Sequence, residues 1–428
     1  MFQPLLPPPL RRPTGDNVDD WNAHYLYIEI AWLGIAIATL SFNSVFAVRL
    51  GASDFLVGLV SALPPLIAAL FTLPSARWLE AQRNLMPALV KSIVGYRLGF
   101  LAMALMPSVV HNQQALALVI IIGLMNMAFG PINIAFNAIF AAVVPEGRRA
   151  EVVAWRNILL AAVVTTTSLI AGRALDLIPF PLGYQLFYLT GFLTGLVSLY
   201  YVSRVKVPDV VQPPRTAERP SISPRAVWRT LQTSPSLKRV TGNTLPHALG
   251  LWMAAPLYSL LYVREMGASN TWVGAQAAIV SLTGMLGYFL VRRWVRRYGT
   301  GRVLSWSMLL SGFFPLLVGL SPSLELILAL SALYGLAFSS LTLSHYNTLL
   351  KTLPEERRAM SLAVYTMLVQ LCAFASPLLG VAAANIVGVR PMLVVAGLLW
   401  IVSGVLFFRR PPEAAMSAPT SSATAARA

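Results

Sequence analysis

Gly51-Ala52-Ser53-Asp54-Phe55-Leu56-Val57-Gly58 (GASDFLVG) returns 216 positions later as Gly267-Ala268-Ser269-Asn270-Thr271-Trp272-Val273-Gly274 (GASNTWVG). Arg77-Trp78 returns as Arg293-Trp294 at the same offset. A second echo lies at offset 209: Pro145-Glu146-Gly147-Arg148-Arg149-Ala150 against Pro354-Glu355-Glu356-Arg357-Arg358-Ala359. The chain is two homologous halves, and a repeat of this kind constrains the fold more tightly than an isolated motif does.

Working outward from the repeat, hydrophobic residues make up 57% of the 428 and charged residues 11%. Soluble domains carry about 25% charged residues. So much apolar surface cannot be hidden in water, and the chain reads as a membrane protein. In a membrane protein, duplicated halves point to a transporter whose site lies between them. The lone Cys372 excludes an intramolecular disulfide. The start, MFQPLLPPPLRRP, is interrupted by prolines and is no signal peptide.

A span of the hydrocarbon layer needs about 20 apolar residues. Twelve runs qualify: 25–47, 55–73, 87–106, 114–143, 152–175 and 182–202, then 244–262, 272–291, 303–320, 324–350, 361–384 and 392–408. The expected class is an all-α membrane protein with a cytoplasmic tail (1–24), a six-helix bundle (25–202), a basic cytoplasmic linker (203–240), a second six-helix bundle (241–408) and a low-complexity, disordered tail (409–428). A short amphipathic surface helix is expected at 224–233. With both termini inside, 27 of the 32 lysines and arginines fall in the inner segments. Only Arg49, Arg173, Arg264 and Arg390 fall outside, and Arg97 lies within the third span. This bias sets orientation and accounts for the net charge of +16. No basic face or base-stacking module is present to suggest nucleic acid.

Six plus six spans, a basic central loop, and the residues LGAS-DFLVG, MGAS-NTWVG and the two PE-x-RRA loops resemble the major facilitator superfamily. The resemblance covers about 25–408. It implies two pseudo-symmetric bundles, alternating access to a midplane site, and a substrate path lined by helices 1, 4, 7 and 10. The family's loop motif G-x-x-x-D-R-x-G-R is matched imperfectly at Ala76-Arg77-Trp78-Leu79-Glu80-Ala81-Gln82-Arg83. In the second half Arg296 stands at the acidic position. The glycine-proline-glycine-glycine pattern of proton-linked drug antiporters is missing from helix 5.

Glu29 is the one acidic residue placed inside a span away from its ends. A charge there costs about 2.5–3.5 kcal/mol on insertion scales, so it is a candidate proton- or cation-sensing group. The alternative is a solvated carboxylate or a structural pair. Glu29, Ala36 and Asn43 share one helix face, which is expected to be open to the cavity. Arg97, about 15 Å into helix 3 at 1.5 Å per residue, is read as structural. Asn126, Asn133 and Asn137 stripe helix 4, and Ser340, Ser344 and Asn347 stripe helix 10 with His345 adjacent. Each group either binds solute or bonds neighbouring helices. Asn43 is matched with Ser259 at offset 216, and His247 is a weaker titratable candidate. Glu80 facing Arg148 and Arg149, and Arg296 and Arg297 facing Glu355 and Glu356, are candidate cytoplasmic gating pairs.

No Walker A sequence and no Cys/His cluster with metal spacing occurs. The chain is therefore expected to be no enzyme and to need no cofactor or metal. The expected function is secondary transport of a small organic solute across the plasma (inner) membrane, with proton-coupled efflux as one form. The expected partners are the solute, a proton or other coupling ion, and lipid, with the chain a monomer. The rival reading is a non-transporting membrane assembly factor or sensor.

Overall fold

Asn17 accepts a hydrogen bond from the Asp19 N–H and so caps the first helix, α1 (Val18–Leu40), about two turns earlier than the apolar run alone suggests. The computed structural model describes residues 12–13, 15–207, 230–232, 234–353 and 358–412. Most of the linker, with nearly all of the expected surface helix at 224–233, lies outside the described residues. So do positions 354–357 of the second PE-x-RRA loop and the tail beyond 412.

After α1 come α2 (Asn43–Arg49), α3 (Asp54–Glu80), α4 (Leu85–Val109), α5 (Gln114–Asn126), α6 (Phe129–Val143), α7 (Glu146–Leu177) and α8 (Leu182–Ser203). The second half holds α9 (Pro235–Ser259), a π-helical turn (Leu260–Glu265), α10 (Asn270–Tyr298), α11 (Thr300–Leu320), α12 (Leu324–Thr352), α13 (Arg358–Val387) and α14 (Val389–Arg409). The helix-4 run is broken between α5 and α6 because Pro131 has no N–H to give to Met127. Placed in the first turn of α6, that missing donor costs nothing.

Among the described residues, eleven helical spans are long and apolar enough to cross a membrane. The expected twelfth, 244–262, is present as α9 and the π-helical turn, but it falls short on composition. Within 244–262 the apolar run is diluted by Thr244, Pro246, His247, Pro256, Tyr258 and Ser259. Leu70, Ile170, Leu333 and Ile386 stand 61%, 65%, 66% and 86% exposed. Water would not tolerate such a surface, whereas lipid does.

The repeated turn is the same structure twice. Gly51 and Gly267 both take left-handed backbone, φ +75° and +66°, which a side chain would strain. Ser53 then accepts from the Leu56 N–H and Ser269 from the Trp272 N–H, so each serine caps the helix that follows. One residue is inserted ahead of the second copy. The Ala52 N–H closes its turn on the Ala47 carbonyl, while the Ala268 N–H reaches back one residue further, to Tyr262. The π-helical turn absorbs this extra residue.

Contacts group the chain into two compact units. One comprises the described residues of Met1–Ala217 with Pro256–Leu282 and Ser323–Leu328; the other comprises those of Glu218–Ala255, Thr283–Pro322 and Ala329–Ala428. In the first, α1 packs on α7 and α8, and α4 packs on α8, α5 and α6. Leu26, Leu79, Leu85 and Leu89 anchor its core. In the second, α11 lies along α14. Gly312 and Gly319 on α11 and Gly397 and Gly404 on α14 are spaced by seven, so bare backbone meets the partner helix every two turns. Trp400, Met308, Leu304 and Phe407 fill the adjoining core.

Candidate functional site

Glu29, on α1, is 3% exposed. Its Oε2 accepts from Arg156 Nη1 of α7 at 2.8 Å, and its Oε1 from the Ser198 hydroxyl of α8 at 3.1 Å. The same Arg156 nitrogen donates to the Leu26 carbonyl at 2.7 Å, and the guanidinium lies 5.0 Å from the centre of the Phe136 ring on α6. One ion pair thus ties α1, α6, α7 and α8 together. Sequence reading counted Arg156 with the inner loop charges. The structure corrects this: α7 begins at Glu146, so Arg156 is nearly three turns inside it. Its position inside the expected span 152–175 was the available signal.

Arg97 of α4 is 6% exposed and rests over Phe100 and Tyr96 at 5.7 and 5.9 Å. Its stem fills the space at Gly195 of α8, where a Cβ would stand 2.6 Å from Arg97 Cδ. Its Nε has no hydrogen-bond partner. Two guanidiniums and one carboxylate therefore share this interior.

The shared face of helix 1 is packed rather than open, which corrects the expectation. Ala36 is wholly buried, and Asn43 Oδ1 accepts from the Tyr188 hydroxyl of α8 at 2.8 Å. The inserted residue also shifts the register ahead of the second turn, so the counterpart of Asn43 is Tyr258 and not Ser259. Ser259 ends α9, half-buried. Asn126 spends its Nδ2 on the Ile122 carbonyl of its own helix. Asn133 and Asn137 differ from these: both are exposed, and Asn137 Nδ2 donates to Asn133 Oδ1 at 3.0 Å.

In the second unit, Ser340 and Ser344 are fully buried and Asn347 half-buried. His345 Nε2 lies 2.9 Å from the Thr244 hydroxyl and 3.3 Å from that of Tyr365. The Thr244 hydroxyl also reaches the Val240 carbonyl of its own helix at 2.8 Å. His247 packs its ring 4.5 Å from that of Trp400, and its Nδ1 is without a partner.

The gating residues are placed as follows. Arg148 pairs with Asp20 at 2.6 Å. Arg149 pairs with Glu146 and folds back onto the carbonyls of Ala141 and Val144. It thereby caps the α6 C-terminus with positive charge, a local task for the PE-x-RRA sequence. Glu80 is exposed at the end of α3, and Arg296 and Arg297 are exposed at the end of α10. Glu355 and Glu356 lie outside the described residues. Among the described residues no group of three or more His, Cys, Asp or Glu side chains is arranged to hold a metal.

Among the described residues, eleven apolar spans, a duplicated turn and polar groups held inside the spans define a multi-pass, all-α membrane protein. The chain belongs to the Major Facilitator Superfamily, whose family model matches residues 27–245 and again 240–427. The solved structures share the fold at low identity. A bacterial homologue of the iron transporter ferroportin, in an inward-facing state, is 14% identical, with a TM-score of 0.72 over 91% of this chain and 98% of that one. A POT family transporter in complex with 5-aminolevulinic acid is 12% identical, with a TM-score of 0.70 over 91% and 96%. The nucleoside transporter NupG is 15% identical, with a TM-score of 0.63 over 94% and 100%. Comparison with curated proteins found no significant match.

Proposed function

We propose that this chain is a secondary active transporter that moves a small organic solute across the plasma (inner) membrane by alternating access. It acts as a monomer with both termini cytoplasmic, and proton-coupled efflux is the form to test first. The observation that carries the reading is the Asn133–Asn137 pair. Two carboxamides stand exposed within a span of α6. Lipid offers no hydrogen bonds, so polar groups exposed at that depth are stable only beside water or solute. Phe136, next to Asn137, carries the Arg156 guanidinium on its face. An uncharged polar lining, with the adjoining Arg156 already neutralised by Glu29, suits a neutral or amphipathic solute.

The test is a thermal-shift screen of the purified chain against a solute library, with hits followed into vesicles. Asn137→Ala removes one hydrogen-bonding arm. A neutral hydrogen bond contributes about 0.5–1.5 kcal/mol net, so affinity for a true solute falls by roughly 2- to 12-fold. A hit whose affinity is unchanged in Asn137→Ala and in Asn133→Ala removes this pair from the solute path. Proton coupling is read with a pH dye in the same vesicles. Solute-driven proton flux that survives in Glu29→Gln takes Glu29 out of the coupling step.

A further inference from the structure

The two copies of the repeated turn lie in the same compact unit, and each holds an arginine from the other copy. Arg49, at the end of α2, donates through Nε to Asn270 Oδ1 at 3.0 Å and through Nη2 to the Ala268 carbonyl at 3.1 Å. Arg264, in the π-helical turn, pairs through Nη1 with Asp54 Oδ1 and donates through Nη2 to the Ala52 carbonyl at 2.6 Å. Ala52 and Ala268 are equivalent in the repeat, as are Asp54 and Asn270. Once the inserted residue is allowed for, Arg49 and Arg264 are equivalent too. The two arms are therefore one interaction made twice, with donor and acceptor halves exchanged. Such an exchange is the mark of a two-fold interface, here within one chain.

The arms differ in charge and cover. The Arg264–Asp54 arm is an ion pair with side chains 41% and 26% exposed. In the other arm the acceptor is a neutral amide, 4% exposed, whose oxygen also accepts from the Tyr184 hydroxyl at 2.7 Å. A carboxylate does stand beside that arm, on the backbone rather than on Arg49: that of Asp176, at the end of α7. It accepts the Asn270 and Thr271 N–H groups at 2.8 and 2.7 Å and so caps α10 from another helix. A cavity of 590 Å³, lined in part by Arg49, Asp176, Tyr184, Arg264 and Asn270, opens beside the arms.

We infer that the repeated turns are a reciprocal clamp: Arg49 and Arg264 lock together the end of the molecule that the lysine and arginine distribution assigns to the outside, and both arms must part for that end to open. This rests on the alternating-access reading. The repeat thereby encodes both halves of its own latch, and α10 loses its Asp176 cap whenever the latch opens.

The test uses the full chain with Cys372→Ser and a single reporter, Ala268→Cys, at a position 3% exposed in the clamped state. A membrane-impermeant maleimide is added to right-side-out vesicles. Arg264→Ala raises the labelling rate by up to about fivefold, the range for a partly exposed ion pair. Arg49→Ala raises it by at least as much, and the double variant by roughly the product. The exchange Asp54→Arg with Arg264→Asp returns slow labelling, which separates a broken arm from a misfolded chain. Unchanged labelling in the double variant overturns the clamp. A second reporter, Asn137→Cys in inside-out vesicles, tests the underlying reading. If the double variant speeds labelling at 268 and leaves labelling at 137 unchanged, the clamp stands and alternating access fails. If a solute changes labelling at 137 while 268 stays slow in every arm variant, alternating access stands and the clamp fails.

Discussion

Arg156→Leu is expected to lower the stability of the purified protein by about 3–5 kcal/mol, the usual cost of leaving one member of a buried pair without its partner. Glu29 would keep only the Ser198 hydroxyl, in surroundings that exclude water. Removing both charges in Glu29→Leu/Arg156→Leu is expected to cost less than the single change, because neither member of the Glu29–Arg156 pair is then left without the other, although Arg97 stays buried beside them. Glu29→Gln should fall between: the amide still accepts from Arg156 but no longer balances it. Thermal unfolding of the four proteins in one detergent gives the order. A double variant less stable than Arg156→Leu would show that the pair is not what binds α1 to α7.

The second large effect is expected at Gly274, the last residue of the repeated GASNTWVG. A methyl group there would overlap the Ser168 carbonyl oxygen of α7 and crowd Gly172 Cα at 3.2 Å. Backbone faces backbone, so no side chain can swing aside. Overpacking costs about 1–3 kcal/mol where neighbours can yield, and Gly274→Ala should reach the upper part of that range. Because α10 would be pushed off α7 beside Asp176 and Asn270, the same variant should speed labelling of Ala268→Cys. Gly242→Ala is the control: nothing lies within 4 Å of the added methyl, and alanine in a helix is neutral to mildly stabilising. Equal melting temperatures for the two glycine variants would remove close helix contact as the reason for Gly274.

Much of this was legible beforehand because it depends on local chemistry. Glycine's tolerance of positive φ and serine's capping hydroxyl act within a few residues, so GAS reads as a turn wherever it occurs. Span length and the bias of basic residues are set by the bilayer, an environment common to every helix. Pairing was not legible. Glu29 stood out as an intramembrane charge, but its partner Arg156 is 127 positions away and hid among loop arginines. Asn43, on a face expected to be open, accepts from the Tyr188 hydroxyl across a helix contact. Arg49 and Arg264 were visible only as exceptions to the basic bias; their reason was geometric.

Sequence alone determined the duplication, most of the spans and the type of turn, since each follows from periodicity, composition or the conformational limits of single residues. Only the tertiary structure decided which charges neutralise each other, which polar side chains are packed and which exposed, and that GASDFLVG and GASNTWVG each hold the arginine that precedes the other. A hydrogen bond needs two groups about 3 Å apart, and for residues more than 200 positions apart that distance is set by the packing of every helix between them.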